Sequence, residues 1–181
     1  MSMNHATKDI LSRGITAHQT GNYQEAESLY KDVLLAEPSN SDANHNLGLL
    51  AVSDNQTKVA LPLFKTALES NPEIEQFWLS YVDALVKGYQ FDKAEQIALS
   101  FTQKFPECLM AWKALGVILT QTEKFTTALI ANKKALQLAP QDAEALNTLG
   151  SVYKQMGRLE EAISSFNQAI ILQPKYADPY H

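Results

Sequence analysis

The sequence predicts an all-α fold, an array of five helix-turn-helix repeats followed by the start of a sixth. Two observations predict it. Prolines recur every 34 residues, as do alanines and, with one exception, glycines, and the apolar residues between them follow helical spacing. The prolines in register are Pro38, Pro72, Pro106, Pro140 and Pro174. Because a period of about 20 to 50 residues is typical of stacked repeats, we expect a solenoid.

The repeat boundaries follow if each repeat begins 31 residues before its proline. The predicted divisions are an N-terminal extension at 1–6, five repeats at 7–40, 41–74, 75–108, 109–142 and 143–176, and the start of a sixth repeat at 177–181.

Each repeat is predicted to open with a helix that ends in a tight turn. Apolar residues such as Trp112 and Leu115 are spaced three or four residues apart, which places them on one helical face. Gly21, Gly88 and Gly157 fall at the fourteenth or fifteenth place of their repeats. Glycine takes a positive φ at little cost, so we expect it to end the first helix there.

A second helix follows the turn, as indicated by the apolar series that begins at Leu159, and the proline of each repeat ends it. The polar residues Asn40 and Asp142 are predicted to cap the next first helix. Pro62 interrupts the second helix of repeat 2, which opens at Thr57. We expect that helix to start late or to bend.

These features resemble the tetratricopeptide repeat, with its pattern W-x2-L-G-x2-Y, A-x3-F and P. The resemblance covers residues 7 to 174, with Val82 in place of one glycine, and it implies a right-handed α-solenoid. The fifth repeat carries it in Leu146-x2-Leu149-Gly150-x2-Tyr153, Ala162-x3-Phe166 and Pro174.

The resemblance also implies that the first helices line a concave face, with the second, fifth, sixth, ninth, twelfth and thirteenth places of each repeat pointing into it. Apolar residues at these places would form a stripe rimmed by charge, which is typical of a binding surface for a peptide or helical segment. Alternatively, these side chains contact one another or mediate self-association. The candidate binding residues are His45, Asn46, Leu49, Val52, Leu79, Asp83, Val86, Met110, Lys113, Val117, Asn147 and Ser151.

Composition argues against several classes of partner. The net charge of -5 gives no basic surface for nucleic acid, and no run approaches the roughly 20 apolar residues that span a bilayer. The single Cys108 cannot form an internal disulfide, and the N-terminus lacks the pattern of a signal peptide. We therefore expect a cytoplasmic protein without membrane insertion.

No catalytic, cofactor or metal motif is apparent, so the sequence predicts a protein without enzymatic activity of its own. His18 and His45 would face the inner surface on successive repeats, but no third ligand shares their register. Trp78 and Trp112 stand at the fourth place of their repeats, where we expect them to pack between first helices.

Three functions remain open at this stage. The first is a protein-interaction scaffold that binds a protein or peptide ligand in the groove. The second is the N-terminal arm of a larger glycosyltransferase or sulfotransferase, because the repeats also resemble the arrays that precede such enzymes. The third is a homo-oligomer, because the sixth repeat breaks off at His181 and would leave the apolar face of repeat 5 uncapped.

Overall fold

The computed structural model describes residues 5–174 of the chain. This part of the chain forms ten α-helices and no strand, which confirms the predicted all-α array of helical repeats. The helices are α1 (His5–Gln19), α2 (Tyr23–Ala36), α3 (Ser41–Ser53), α4 (Thr57–Ser70), α5 (Glu75–Lys87), α6 (Phe91–Lys104), α7 (Leu109–Gln121), α8 (Phe125–Leu138), α9 (Ala143–Gln155) and α10 (Leu159–Leu172).

The chain divides into two compact units, Met1–Gln90 and Phe91–His181. Unit 1 contains α1 to α5 and unit 2 contains α6 to α10. Within each unit, every helix packs on its neighbour along the chain. In addition, α3 contacts α5 in unit 1, and α7 contacts α9 in unit 2. In each of these two pairs, successive first helices touch each other directly, as stacked helical hairpins do.

Small residues let the helices of a hairpin approach closely. A Cβ atom added to any of four first-helix glycines would lie only 2.7–2.9 Å from a side chain of the following helix. The pairs are Gly14 with Tyr30, Gly48 with Phe64, Gly116 with Asn132, and Gly150 with Phe166. The alanines of the 34-residue register are fully or almost fully buried in the second helices: Ala26, Ala60, Ala94, Ala128 and Ala162.

The turn inside each repeat is built by one residue with positive φ. In repeat 3 the first helix ends just before Gly88, as predicted, but the expected positive φ is not at the glycine. Gly88 has a φ of -84°, and the next residue, Tyr89, takes the left-handed conformation with a φ of 57°. In every repeat the N–H after the positive-φ residue donates to a carbonyl five residues back, over 2.7–2.9 Å. This is the Schellman arrangement, which fixes the left-handed position by its hydrogen bonds rather than by residue type. The positive-φ residues are Gly21, Asn55, Tyr89, Glu123 and Gly157.

Pro62 does not delay the helix that contains it, so of the two predicted alternatives, a late start or a bend, the late start is wrong. α4 begins at Thr57, in register with the other second helices, and continues to Ser70. The first turn is closed before the proline, because Val59 and Ala60 donate their N–H groups to the Gln56 carbonyl at 2.9 and 3.1 Å. Ala60 is fully buried, so tertiary packing also fixes that turn.

The connections between repeats are held by side chains on the first helices. As predicted, Asn40 and Asp142 cap α3 and α9, accepting from the backbone N–H groups of Ala43 and Ala145 at 3.0 and 2.7 Å. A second bond ties the connection itself. The fourth residue of three first helices donates to the carbonyl of the preceding proline over 2.8–2.9 Å: Asn44 to Pro38, Trp78 to Pro72, and Trp112 to Pro106.

Candidate binding faces

The candidate residues of unit 1 lie on α3 and α5, two helices in direct contact. Their spacing of three to four residues places them on one face of each helix. We call these six residues the unit 1 face: Asn46, Leu49, Val52, Leu79, Asp83 and Val86. Five are half-buried, and Asp83 is exposed. The face is therefore a partly open apolar surface that carries a carboxylate.

His45 lies beneath the unit 1 face rather than on it. Its side chain is buried, with 7% of its surface exposed, between the rings of Phe64 and Phe77 at centroid distances of 5.6 and 4.7 Å. Its Nε2 atom is hydrogen-bonded to Ser80 Oγ on α5 at 2.9 Å, and Gln76 Nε2 donates to the same Oγ at 3.1 Å. His45 thus links the two helices and leaves little surface for a ligand, because neighbouring rings enclose it.

Two titratable groups of this region have shifted pKa values. Burial lowers the pKa of His45 to about 4, so the imidazole is neutral at physiological pH. The protein around the Asp83 carboxyl removes part of its hydration and raises its pKa, while the Lys87 ammonium one turn along α5 partly offsets the rise.

The candidate residues of unit 2 form a more polar surface. Met110, at the start of α7, is 43% exposed, while Val117 further along α7 is half-buried. On α9, Asn147 and Ser151 are half-buried, and Ser151 Oγ donates to the Asn147 carbonyl at 3.1 Å. We call these four residues the unit 2 face.

Lys113, the remaining candidate of unit 2, is committed to an ion-pair network between α7 and the start of α9. Its side chain is 12% exposed, and its Nζ lies 3.0 Å from Asp142 Oδ2 and 2.5 Å from Glu144 Oε2. Burial disfavours the ammonium, but the hydrogen bonds to Glu144 and Asp142 outweigh this effect and raise the Lys113 pKa. Like His45, Lys113 therefore joins successive first helices.

The sequence reasoning missed Ser80, Asp142 and Glu144 as the partners of these two side chains. A signal was present in the register. Both His45 and Lys113 occupy the fifth place of a repeat, and their partners stand in the first half of the next first helix or just before it. Polar residues at those places therefore indicate a contact between repeats rather than a contact with a ligand.

No group of three or more His, Cys, Asp or Glu residues in 5–174 could hold a metal ion. None of the helices described is long and apolar enough to cross a membrane.

Models of a known protein family match most of the chain. A model described as tetratricopeptide repeat matches residues 143–176, and another with the same description matches 11–73, 45–100 and 82–143. The chain belongs to the tetratricopeptide repeat family. The tetratricopeptide repeats account for the alanine, glycine and proline register, and for the Schellman turn that recurs in each repeat.

Curated relatives with tetratricopeptide-like sequence are much longer than this chain. Protein O-mannosyl-transferase TMTC1 of Homo sapiens is 25% identical over 175 residues, which cover 94% of this chain and 20% of that protein. The mitochondrial import receptor subunit TOM70 of Rattus norvegicus is 24% identical over 148 residues, which cover 81% of this chain and 24% of the receptor subunit. The chain spans a fifth to a quarter of these relatives.

Solved tetratricopeptide structures share the fold over almost the whole chain. MamA superposes with a TM-score of 0.85 at 20% identity, covering 97% of this chain and 96% of MamA. YrrB, described as a TPR protein with an unusual peptide-binding site, superposes with a TM-score of 0.80 at 21% identity, covering 91% of this chain and 85% of YrrB.

Proposed function

We propose that these tetratricopeptide repeats form a protein-interaction module that binds a peptide or helical segment on its first-helix faces. The observation that carries the proposal is the unit 1 face, where Leu49, Val52, Leu79 and Val86 remain only half-buried on two touching helices. Half-buried apolar side chains on one surface favour a binding role, because a ligand would remove them from water. The peptide-binding site named in the description of YrrB supports the same class of function.

The ligand is an amphipathic segment with a basic residue. Its apolar side chains would contact the leucines and valines of the unit 1 face, and its cation would pair with the exposed Asp83 carboxylate. On the unit 2 face, Asn147 and Ser151 offer polar contacts beside the apolar Met110 and Val117. His45 and Lys113 hold the first helices that carry these residues, and we assign them no direct contact with the ligand.

Peptides selected from a phage-displayed library of random 12-residue sequences would test the proposal. We expect the selected peptides to be amphipathic and basic. Combining Leu49→Glu with Val86→Glu should weaken their binding by about tenfold or more, because the added carboxylates would be buried against apolar ligand groups. Leu35→Glu is the matched control, since Leu35 is 83% exposed on α2 and outside the face. Selected peptides that bind the doubly charged variant as tightly as the unsubstituted chain would refute the proposal.

A second candidate is that these repeats are one part of a larger glycosyltransferase. The similarity to the O-mannosyl-transferase TMTC1, of which the chain covers 20%, favours it. The test is the natural reading frame on both sides of the 181 residues. A glycosyltransferase catalytic domain in that frame would support this candidate, and its absence would remove it.

A third candidate is self-association through the last described helix. Ile163 and Ile171 on α10 are 61% and 77% exposed. Light scattering over a wide concentration range would test whether the chain associates. Ile163→Glu should then reduce the associated fraction, whereas Ile130→Glu on α8, where the isoleucine is 63% exposed, should leave it unchanged.

A further inference from the structure

A cavity on unit 1 lies away from the first-helix faces. It has a volume of about 610 Å³ and lies among α2, the end of α3 and the start of α4. Leu47, Leu50 and Ala51 contribute apolar surface, and two exposed apolar side chains flank it: Tyr23 is 58% exposed and Val59 is 50% exposed.

The cavity is open because the first helix of repeat 2 carries a small residue where later repeats carry large ones. Ala51 occupies a place held by Leu85, Leu119 and Tyr153 in the next three repeats. On α2, the lining residue Glu27 stands where Leu129 stands on α8. Two apolar side chains of the later cleft are thus absent from the earlier one.

Unit 2 shows what fills the corresponding place. Tyr153, three repeats after Ala51, is 8% exposed in a cluster against which Leu129 packs. The guanidinium carbon of Arg158 lies 4.6 Å from the centre of the Tyr153 ring. A smaller cavity of about 390 Å³ remains beside the ring, and its lining residues Leu149, Tyr153 and Glu161 stand at the places of Leu47, Ala51 and Val59. An aromatic ring covered by a cation therefore fills part of the later cleft, an arrangement that is favourable by itself.

The charge of the unit 1 cavity fits the same pair of groups. Its charged lining residues are Glu27, Lys31 and Asp54. Glu27 accepts from Lys31 Nζ at 2.6 Å, so Asp54 gives the cavity its net negative charge. At the place of Arg158 the cavity has the uncharged Gln56. The cavity thus has no counterpart of the Tyr153 ring or of the Arg158 guanidinium, while the Asp54 carboxylate is available to pair with an added cation.

We propose that this cavity is a second binding site, which takes a tyrosine or phenylalanine side chain flanked by an arginine from a partner protein. The incoming ring occupies the space that Ala51 leaves, between Tyr23 and Val59, and the guanidinium pairs with the Asp54 carboxylate. The site does not depend on the first-helix faces, so a partner can occupy both surfaces of unit 1.

The test uses the dipeptide Ac-Tyr-Arg-NH2 as the probe and the full 181-residue chain labelled with nitrogen-15. We expect saturable amide shift changes at Ala51, Gln56 and Val59, and weaker binding of Ac-Tyr-Glu-NH2. Ala51→Tyr should weaken binding of the arginine probe by about tenfold or more, because the new ring fills the cavity. The variant should fold, since Tyr153 holds the equivalent place in repeat 5.

Asp54→Asn provides a second variant that leaves the cavity open. This variant should weaken the binding of Ac-Tyr-Arg-NH2 severalfold and bring its affinity close to that of Ac-Tyr-Glu-NH2. The Leu49→Glu, Val86→Glu double variant should bind the probe normally, which separates this site from the first-helix faces. Two results with the arginine probe would overturn the proposal: no saturable response, or amide shift changes that persist in Ala51→Tyr. A third result would also overturn it. Shift changes that depend on protein concentration without peptide, and that Ala51→Tyr removes, would assign the cavity to a second copy of the chain.

Discussion

The Nε2 atom of His45 on α3 is hydrogen-bonded to Ser80 Oγ on α5 across 2.9 Å, which joins the first helices of successive repeats inside unit 1. Aromatic rings enclose the imidazole, so the folded chain holds it in the neutral form. This contact makes the stability of unit 1 depend on pH.

The folded pKa of His45 is about 4, below the ordinary value of 6.5. Below pH 6.5 the unfolded chain binds a proton that the folded chain excludes, so the stabilisation present above pH 6.5 is lost as the pH falls towards 4. The loss should reach about 3 kcal/mol. Urea unfolding can be followed by Trp78 fluorescence in a Trp112→Phe background, which leaves Trp78 in unit 1 as the single tryptophan. His45→Gln should reduce the difference between the free energies of unfolding at pH 7 and pH 4. An equal difference in both proteins would disprove that His45 causes this pH dependence.

The Lys113 network in unit 2 should matter more than an exposed ion pair. Lys113→Met removes a mostly buried cation from Asp142 and Glu144. We expect a loss of about 2 kcal/mol in the free energy of unfolding, because the mostly buried Asp142 carboxylate loses its partner, while Glu144 is 58% exposed. Lys31→Met is the matched control. Lys31 pairs with Glu27 but is 60% exposed, so the control should change stability by less than about 0.5 kcal/mol. Equal effects in chemical denaturation would contradict this ranking.

The Schellman turns predict that introducing a glycine stabilises one repeat and that removing a glycine destabilises another. Glu123 has a φ of 60°, so Glu123→Gly should stabilise the chain by about 0.5 to 1 kcal/mol, because glycine adopts this conformation without strain. Gly157→Glu, at a φ of 73° with open space around the Cβ position, should destabilise by a similar amount, about 0.5 to 1 kcal/mol. Thermal unfolding of the two variants checks the signs, and a shift in the same direction would rule out backbone strain as the cause.

Close packing inside the hairpins makes Gly48 intolerant of a methyl group. A Cβ there would lie 2.7 Å from the Phe64 ring, and Phe64 is almost fully buried. Gly48→Ala should therefore cost about 1 to 3 kcal/mol through overpacking. Gly88→Ala, where the nearest atom lies at 3.3 Å and φ is -84°, should stay within about 0.5 kcal/mol of the unsubstituted chain. Comparable losses in urea unfolding would contradict the contact with Phe64 as the cause, because replacing glycine by alanine favours the helix at both positions.

The errors in the sequence reasoning have local physical causes. The sequence predicted a positive φ at Gly88 because glycine tolerates it best. The hydrogen-bond pattern instead places the left-handed residue one position later, at Tyr89. Pro62 indicated a late start or a bend of its helix, and the late start does not occur because backbone bonds to Gln56 close the first turn before the proline. In both cases the repeat register was a better guide than the preference of a single residue.

The sequence by itself determined the repeat, the two kinds of helix and the family, because a 34-residue period repeats the same local preferences and the same small-residue contacts along the chain. Only the tertiary structure decided which side chains stay open to a ligand. That outcome depends on the atoms a neighbouring helix supplies: Ser80 engages His45, and Asp142 and Glu144 engage Lys113. The cavity beside Ala51 likewise depends on the small alanine side chain, at a place where the later repeats carry larger residues.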